Sequence, residues 1–154
     1  MNIMKIWGER RRILLTETSE IDLLYLNKDS FCSTHRHTDK INRFVVVSGT
    51  VKIETEFGNK ILQQDDSFEV SNCVMHRFVA IENSVMIELA YVKHGTIDEE
   101  DIIREKQGGR IIDFNEYTEE ELRKKGMLDL SERLIKAYTI RLKEELTRKI
   151  DENK

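Results

Sequence analysis

His35 and His37 stand one residue apart, and His76 follows in another stretch of similar character. On a β-strand, residues i and i+2 point to the same face. Two histidines so spaced can enter one interior together, and a third can reach them from a neighbouring strand. Imidazoles in such a set suit Zn, Fe, Mn, Co, Ni or Cu, and three of them leave coordination positions open. An open position lets a metal polarise a substrate oxygen or activate water. The same spacing is also met as two solvated histidines on a strand edge, so spacing alone leaves both readings standing. His94, beside Gly95, has no spacing that ties it to the others and is expected at the surface. Cys32 and Cys73 lie near the candidate ligands in sequence but form no CxxC pair. They are expected as free thiols.

Positioning these side chains requires strands, and the chain from about residue 11 to 97 reads as a series of short ones. Ile21–Leu26 is mostly apolar, with Asp22 the exception. Arg43-Phe44-Val45-Val46-Val47 is β-branched and aromatic, which suits a strand. Val51, Ile53, Thr55 and Phe57 alternate with Lys52, Glu54 and Glu56, the period of a half-buried strand. Ser48-Gly49, Gly58-Asn59 and Asp65-Asp66 supply turn signals. Ser67–Val70, Arg77–Ile81 and Val85–Val92 read as further strands. Many short strands at close spacing predict an all-β sandwich or barrel.

From about residue 98 the character is helical. Asp98-Glu99-Glu100-Asp101 suits the start of a short helix, and Gly108-Gly109 breaks it. Thr118 with Glu121, and Asp129 with Glu132, have capping-box spacing, and Gly126 is a plausible helix stop. Leu134, Tyr138, Leu142, Leu146 and Ile150 then recur every four residues. That slanted stripe can cover the chain's own barrel or pair with a second subunit.

The 154-residue chain is large enough for one ordinary domain with an appendage. Its 25 basic and 29 acidic residues give a formal net charge of −4, against the basic footprint of a nucleic-acid binder. No apolar run is long enough to span a membrane. The arginines near the N-terminus follow the apolar residues, whereas a signal peptide has its charge first. The reading is of a cytoplasmic protein with no nucleic acid and no membrane among its partners.

His35-x-His37, four residues, Asn42, six residues, Gly49 resembles the first cupin motif, which normally carries a Glu where Asn42 stands. Asp66 to His76 resembles the second, with Ser71-Asn72-Cys73 in place of its Pro-x-Gly turn. The resemblance implies an all-β cupin (jelly-roll) barrel over residues 1–110; residues 111–154 lie outside it and read as a helical C-terminal extension. It also implies that His35, His37 and His76 are metal ligands. Asn42 falls at the fourth ligand position, where a neutral amide would leave the ion more electrophilic. Closer still, Lys5-Ile6-Trp7-Gly8, Phe44-Val45-Val46-Val47-Ser48-Gly49-Thr50 and Glu99-Glu100-Asp101-Ile102-Ile103-Arg104 with Gly109-Arg110 resemble the cupin domain of type II mannose-6-phosphate isomerases.

That resemblance implies a divalent metal (Zn, Mn, Fe, Co or Ni) and a phosphorylated or nucleotide-linked sugar as substrate. It also implies aldose–ketose isomerisation and a homodimer. Glu88, in the strand-like Ile87-Glu88-Leu89, is the candidate base, because burial would raise its pKa toward a useful range. Arg104 and Arg110 are candidates for gripping phosphate through bidentate hydrogen bonds, although Arg104 at helical spacing could instead pair with Glu100. Two other functions fit the residues. One is a non-catalytic sugar-binding or partner-binding cupin, which the loss of the acidic ligand at Asn42 favours. The other is a three-histidine iron oxygenase, with which the neutral ligand set is compatible.

Overall fold

Alternating burial along the central strands decides which side chains face inward. In a computed structural model that describes residues 2–111 and 146–152, one sheet is built from β1 (Asn2–Lys5), β2 (Gly8–Leu15), β3 (Ser19–Leu26), β6 (Ile41–Ser48), β9 (Ser67–Val70) and β11 (Ser84–Tyr91). Their spatial order is β1-β2-β3-β11-β6-β9, all antiparallel. The second sheet centres on β10 (His76–Ala80). On one side β10 pairs with β7 (Val51–Thr55), which pairs in turn with β8 (Gly58–Leu62). On the other it pairs with the short strands β4 (Ser30–Phe31) and β5 (Thr34–Arg36). These are flanked by β13 (Gly109–Arg110) and β12 (Ile103–Lys106), respectively.

Side chains from both sheets meet in one core. Leu24, Leu26, Phe44, Val46 and Met86 come from the first sheet, and Val51, Ile53, Leu62, Phe78 and Ala80 from the second. Each large apolar side chain so buried contributes about 1.5–3 kcal/mol. The interior changes character along its length. Aligned across β3, β11 and β6, the rank Leu24, Met86, Val46 is apolar, the next is Asp22, Glu88, Phe44, and the next is Glu20, Ala90, Asn42. In the second sheet, Ile53 lies opposite Phe78 and Thr55 opposite His76. One end of the barrel is therefore a hydrophobic core and the other a polar chamber.

The all-β expectation holds, and the strands expected between residues 21 and 92 are present within a few residues of their predicted bounds. Three details differ. Strands begin earlier than residue 11, because Asn2–Lys5 and Gly8–Leu15 pair as a hairpin whose arginine run hides the alternation. The turn between β7 and β8 falls at residues 56–57, with Gly58 already in the strand. Residues 98–101 form no helix. Asp98 caps a turn, accepting the Glu100 N–H on Oδ1 at 2.9 Å and the Asp101 N–H on its carbonyl at 3.1 Å. Arg104, expected on that helix, lies instead on β12. All four of its residues are exposed, which left no alternation of apolar and polar positions to read.

By its contacts the chain divides into two units, Met1–Ile112 and Asp113–Lys154. In the second, residues 146–152 are helical, with Leu146 and Ile150 exposed. The expected caps at Thr118, Gly126 and Asp129 and the positions Leu134, Tyr138 and Leu142 lie outside the described residues. Among the described residues no helix is long and apolar enough to cross a membrane.

Gly8, at the start of β2, has φ +146°, and a Cβ there would lie 1.9 Å from the backbone oxygen of Tyr25 on the neighbouring strand. Gly58 also has positive φ, +133°, but a Cβ there would meet nothing within 4 Å. Gly8→Ala is expected to cost about 2–4 kcal/mol and Gly58→Ala about 1 kcal/mol in urea unfolding. Equal costs would contradict the close approach of β2 and β3.

Candidate metal centre

His35 on β5 and His76 on β10 are direct cross-strand partners, and His37 follows two residues after His35 on the same face. Their ring centroids are 4.6–5.5 Å apart, and each offers a nitrogen within 4.8 Å of the others. All three are buried. In each ring Nδ1 is bonded to a backbone carbonyl: His35 to Ser33 at 2.7 Å, His37 to Asp101 at 2.5 Å, His76 to Val74 at 2.8 Å. A carbonyl can only accept, so Nδ1 carries the proton and Nε2 keeps its lone pair for an ion. Burial, followed by His76 and His37, pushes His35 down to about 3. Burial pushes His76 down to about 4 and lowers His37. The cluster therefore meets neutral pH with three uncharged nitrogen donors.

Asn42, on β6, closes the cluster. Its Nδ2 lies 3.1 Å from His37 Nε2 and 3.5 Å from His76 Nε2, and its Oδ1 is buried with no hydrogen-bond partner. A buried carbonyl oxygen without a partner costs about 1–3 kcal/mol. Turning the amide over would aim that oxygen toward the Nε2 atoms of His37 and His76. The donor set then fits a divalent ion, with three imidazole nitrogens and one amide oxygen, all neutral.

Asp101 fastens this end of the barrel. Its carboxylate accepts the N–H groups of Thr38, Asp39 and Lys40 at 2.7, 2.9 and 3.1 Å, while its carbonyl holds the His37 ring. Those three bonds hold the Asp101 carboxyl below the usual carboxylate range despite the opposing effect of burial. The acidic run that suggested a helix thus serves to hold the loop after His37. No motif marks this role.

The centre opens into a cavity of about 320 Å³ that His35, His37, Glu88 and Arg104 all line. Its other wall is a network of charges on the inner face of the first sheet. Arg12 bonds Asp22 at 2.6 Å, Glu20 at 3.3 Å and Glu99 at 2.8 Å, and Lys40 bonds Glu20 at 3.1 Å. Glu20, Asp22 and Lys40 are buried. Sequence reasoning missed Arg12 and Glu20; the visible signal was Asp22 interrupting an otherwise apolar strand. Glu88 sits between Asp22 and Phe44 on the same face and, among the described residues, makes no hydrogen bond or ion pair. Burial, with Asp22 and Glu20 adding like charge, pushes it up to about 7.

The other candidates stand apart. Arg110 does not line the cavity and donates from Nε to the Ile6 carbonyl at 3.3 Å. His94 is exposed. Cys32 and Cys73 are free thiols. Cys32 borders the cavity, but burial pushes it up to about 12, so it stays protonated. Cys73 is exposed and brackets the loop after His37, donating its N–H to the His37 carbonyl at 2.6 Å.

Comparison with known proteins agrees with this architecture. Among solved structures the chain is similar to an RmlC-like cupin from Shewanella frigidimarina (20% identity, TM-score 0.53, covering 60% of this chain and 78% of that one). It is also similar to KdgF from Halomonas (23% identity, TM-score 0.52, 56% and 81%). A nucleoside dehydratase from Streptomyces shares the fold at 9% identity (TM-score 0.59, 70% and 85%). A mannose-1-phosphate guanylyltransferase of Sinorhizobium fredii (strain NBRC 101917 / NGR234) is 24% identical over 103 residues. That match covers 66% of this chain but only 20% of the relative. Residues 1–107 match the family described as mannose-6-phosphate isomerase C-terminal. The chain is a cupin and belongs to that family.

Proposed function

We propose that this cupin is a divalent-metal-dependent aldose–ketose isomerase acting on a phosphorylated sugar. One observation carries the reading: an unpaired carboxyl, Glu88, lines the same cavity as His35 and His37, two of the three converging histidines. His35, His37 and His76 would hold the ion, with the Asn42 oxygen as a fourth donor. When bound, the ion would polarise the carbonyl and hydroxyl oxygens of an open-chain sugar. Glu88, poised near neutrality, takes the proton from the carbon beside the carbonyl and returns it to the carbonyl carbon, while the proton of the neighbouring hydroxyl passes to the former carbonyl oxygen. The Arg12–Asp22–Glu20–Lys40 network fixes the wall behind the substrate. Arg104 supplies positive charge beside the ligands and is the candidate for the phosphate.

Support comes from the family match and from the polar chamber, whose charged wall would bring no gain in a merely structural barrel. The neutral Asn42 favours a second reading, a sugar-binding module without turnover. The two separate on one assay. The full chain loaded with Zn or Mn is expected to interconvert mannose 6-phosphate and fructose 6-phosphate, to stop on chelation and to recover on adding the ion back. Ligand binding without turnover would select the binding module.

Glu88 gives a paired test. A base with pKa about 7 makes the turnover rate fall as pH drops below neutrality, with unit slope. Glu88→Gln is expected to lower turnover by about a hundredfold or more. Because the folded-state pKa is raised above the ordinary 4.5, ionised Glu88 destabilises the fold progressively as pH rises from that value to about 7. Glu88→Gln should therefore gain roughly 1–3 kcal/mol over wild type at pH 8 and little at pH 4 in denaturant unfolding. A variant less stable at pH 8 with activity intact would contradict the assignment.

A further inference from the structure

The cavity has a second cluster of charge besides the network behind the substrate. Five cations line it: Lys5, Arg10, Arg12, Lys40 and Arg104. Arg12 and Lys40 are neutralised by Glu20, Asp22 and Glu99. Lys5, Arg10 and Arg104 have no ion pair or side-chain hydrogen bond among the described residues. We infer that these three form a seat for a dianion, the phosphoryl group of the substrate.

Each residue reaches the seat from a different element. Lys5 ends β1, Arg10 lies on the inner face of β2 opposite Leu24, and Arg104 lies on β12 opposite His35. Arg10 Nε is buried without a hydrogen-bond acceptor, a cost that an anion in the cavity would relieve. Arg10 and Arg104 both act on Lys5: burial, then Arg10, then Arg104, lowers its amine below the usual range. Glu88, the carboxyl in the same cavity, makes no ion pair with Arg10 among the described residues and so leaves its charge uncancelled. Like charges gathered without a counter-ion destabilise the empty fold. Two guanidinium forks and an ammonium match the three terminal oxygens of a phosphoryl group, whereas a carboxylate would satisfy one fork alone.

The placement fits the isomerase reading, on which the ligand's identity rests. Arg104 stands beside His35, so a ligand with its phosphate on the seat can turn its sugar toward the histidines and Glu88. A cavity of about 320 Å³ is near the small end of ligand sites. That favours the phosphate ester of a single sugar over a nucleotide-linked one. Arg110, expected from sequence to share this role, is outside the cavity lining and is not part of the seat.

Calorimetric titration of inorganic phosphate into the metal-free full chain tests the seat apart from the metal. One saturable site is expected, weakened about tenfold or more by Arg10→Gln and by Arg104→Gln and unchanged by Arg110→Gln. Acetate should bind at least about tenfold more weakly than phosphate. Arg10→Lys should recover part of the affinity. Lys5→Gln, at the exposed rim, should weaken binding without affecting the fold, so the test survives if Arg10→Gln does not fold. No saturable phosphate site, or wild-type affinity in Lys5→Gln and Arg104→Gln alike, would overturn the inference. A chain that failed here yet still turned over sugar with metal would lose the seat and keep the isomerase.

Discussion

Three hydrogen bonds from imidazole Nδ1–H to backbone carbonyls set everything else at this site. They run from His35 to Ser33, His37 to Asp101 and His76 to Val74. Without them the rings could rotate or change tautomer, and the Nε2 lone pairs would not converge. Two of the carbonyls belong to residues two positions before their own histidine, so the segments that lead into β5 and β10 carry the anchors of the rings on those strands. The third comes from Asp101, far along the chain. Its carboxylate gathers three N–H groups of the loop after His37, which ties the late segment of the barrel to the ligand strand.

The polar chamber has a cost that the hydrophobic end of the barrel offsets. Ion pairs taken out of water recover their desolvation only with good geometry and full pairing. Arg12, Glu20, Asp22 and Lys40 meet that condition through a continuous network. Among the described residues, the buried Asn42 Oδ1 and Arg10 Nε have no hydrogen-bond partner and Glu88 has none either; Arg10 and Glu88 line the cavity and Asn42 touches His37. Unsatisfied groups gathered where a ligand would sit are what a binding site requires. The apolar ranks from Leu24 to Leu62 supply the stability that permits it.

The strand pattern, the histidine spacing and the cupin motifs were legible because each is written locally: alternation in Val51–Thr55, an i, i+2 pair at His35 and His37. The features that escaped are those set by tertiary contact. Asp98–Asp101 has the local chemistry of a helix start, yet the Asp101 carboxylate finds better partners on a loop far away in sequence. Arg10 and Arg12 sit in a charged run that resembles solvated surface, and only the register with β3 turns them inward. Arg104 and Arg110 looked equivalent in sequence. Their strands differ, β12 beside His35 and β13 beside Phe31, and only the first borders the cavity.

The account stands on the three histidines holding an ion, and elemental mass spectrometry of tag-free protein measures that directly. Wild type is expected to carry close to one divalent ion per chain. His35→Ala/His76→Ala, folded by circular dichroism, is expected to carry none. A wild type that stays metal-free after exposure to Zn, Mn, Fe, Co and Ni in turn, or a double variant that retains the ion, would contradict it.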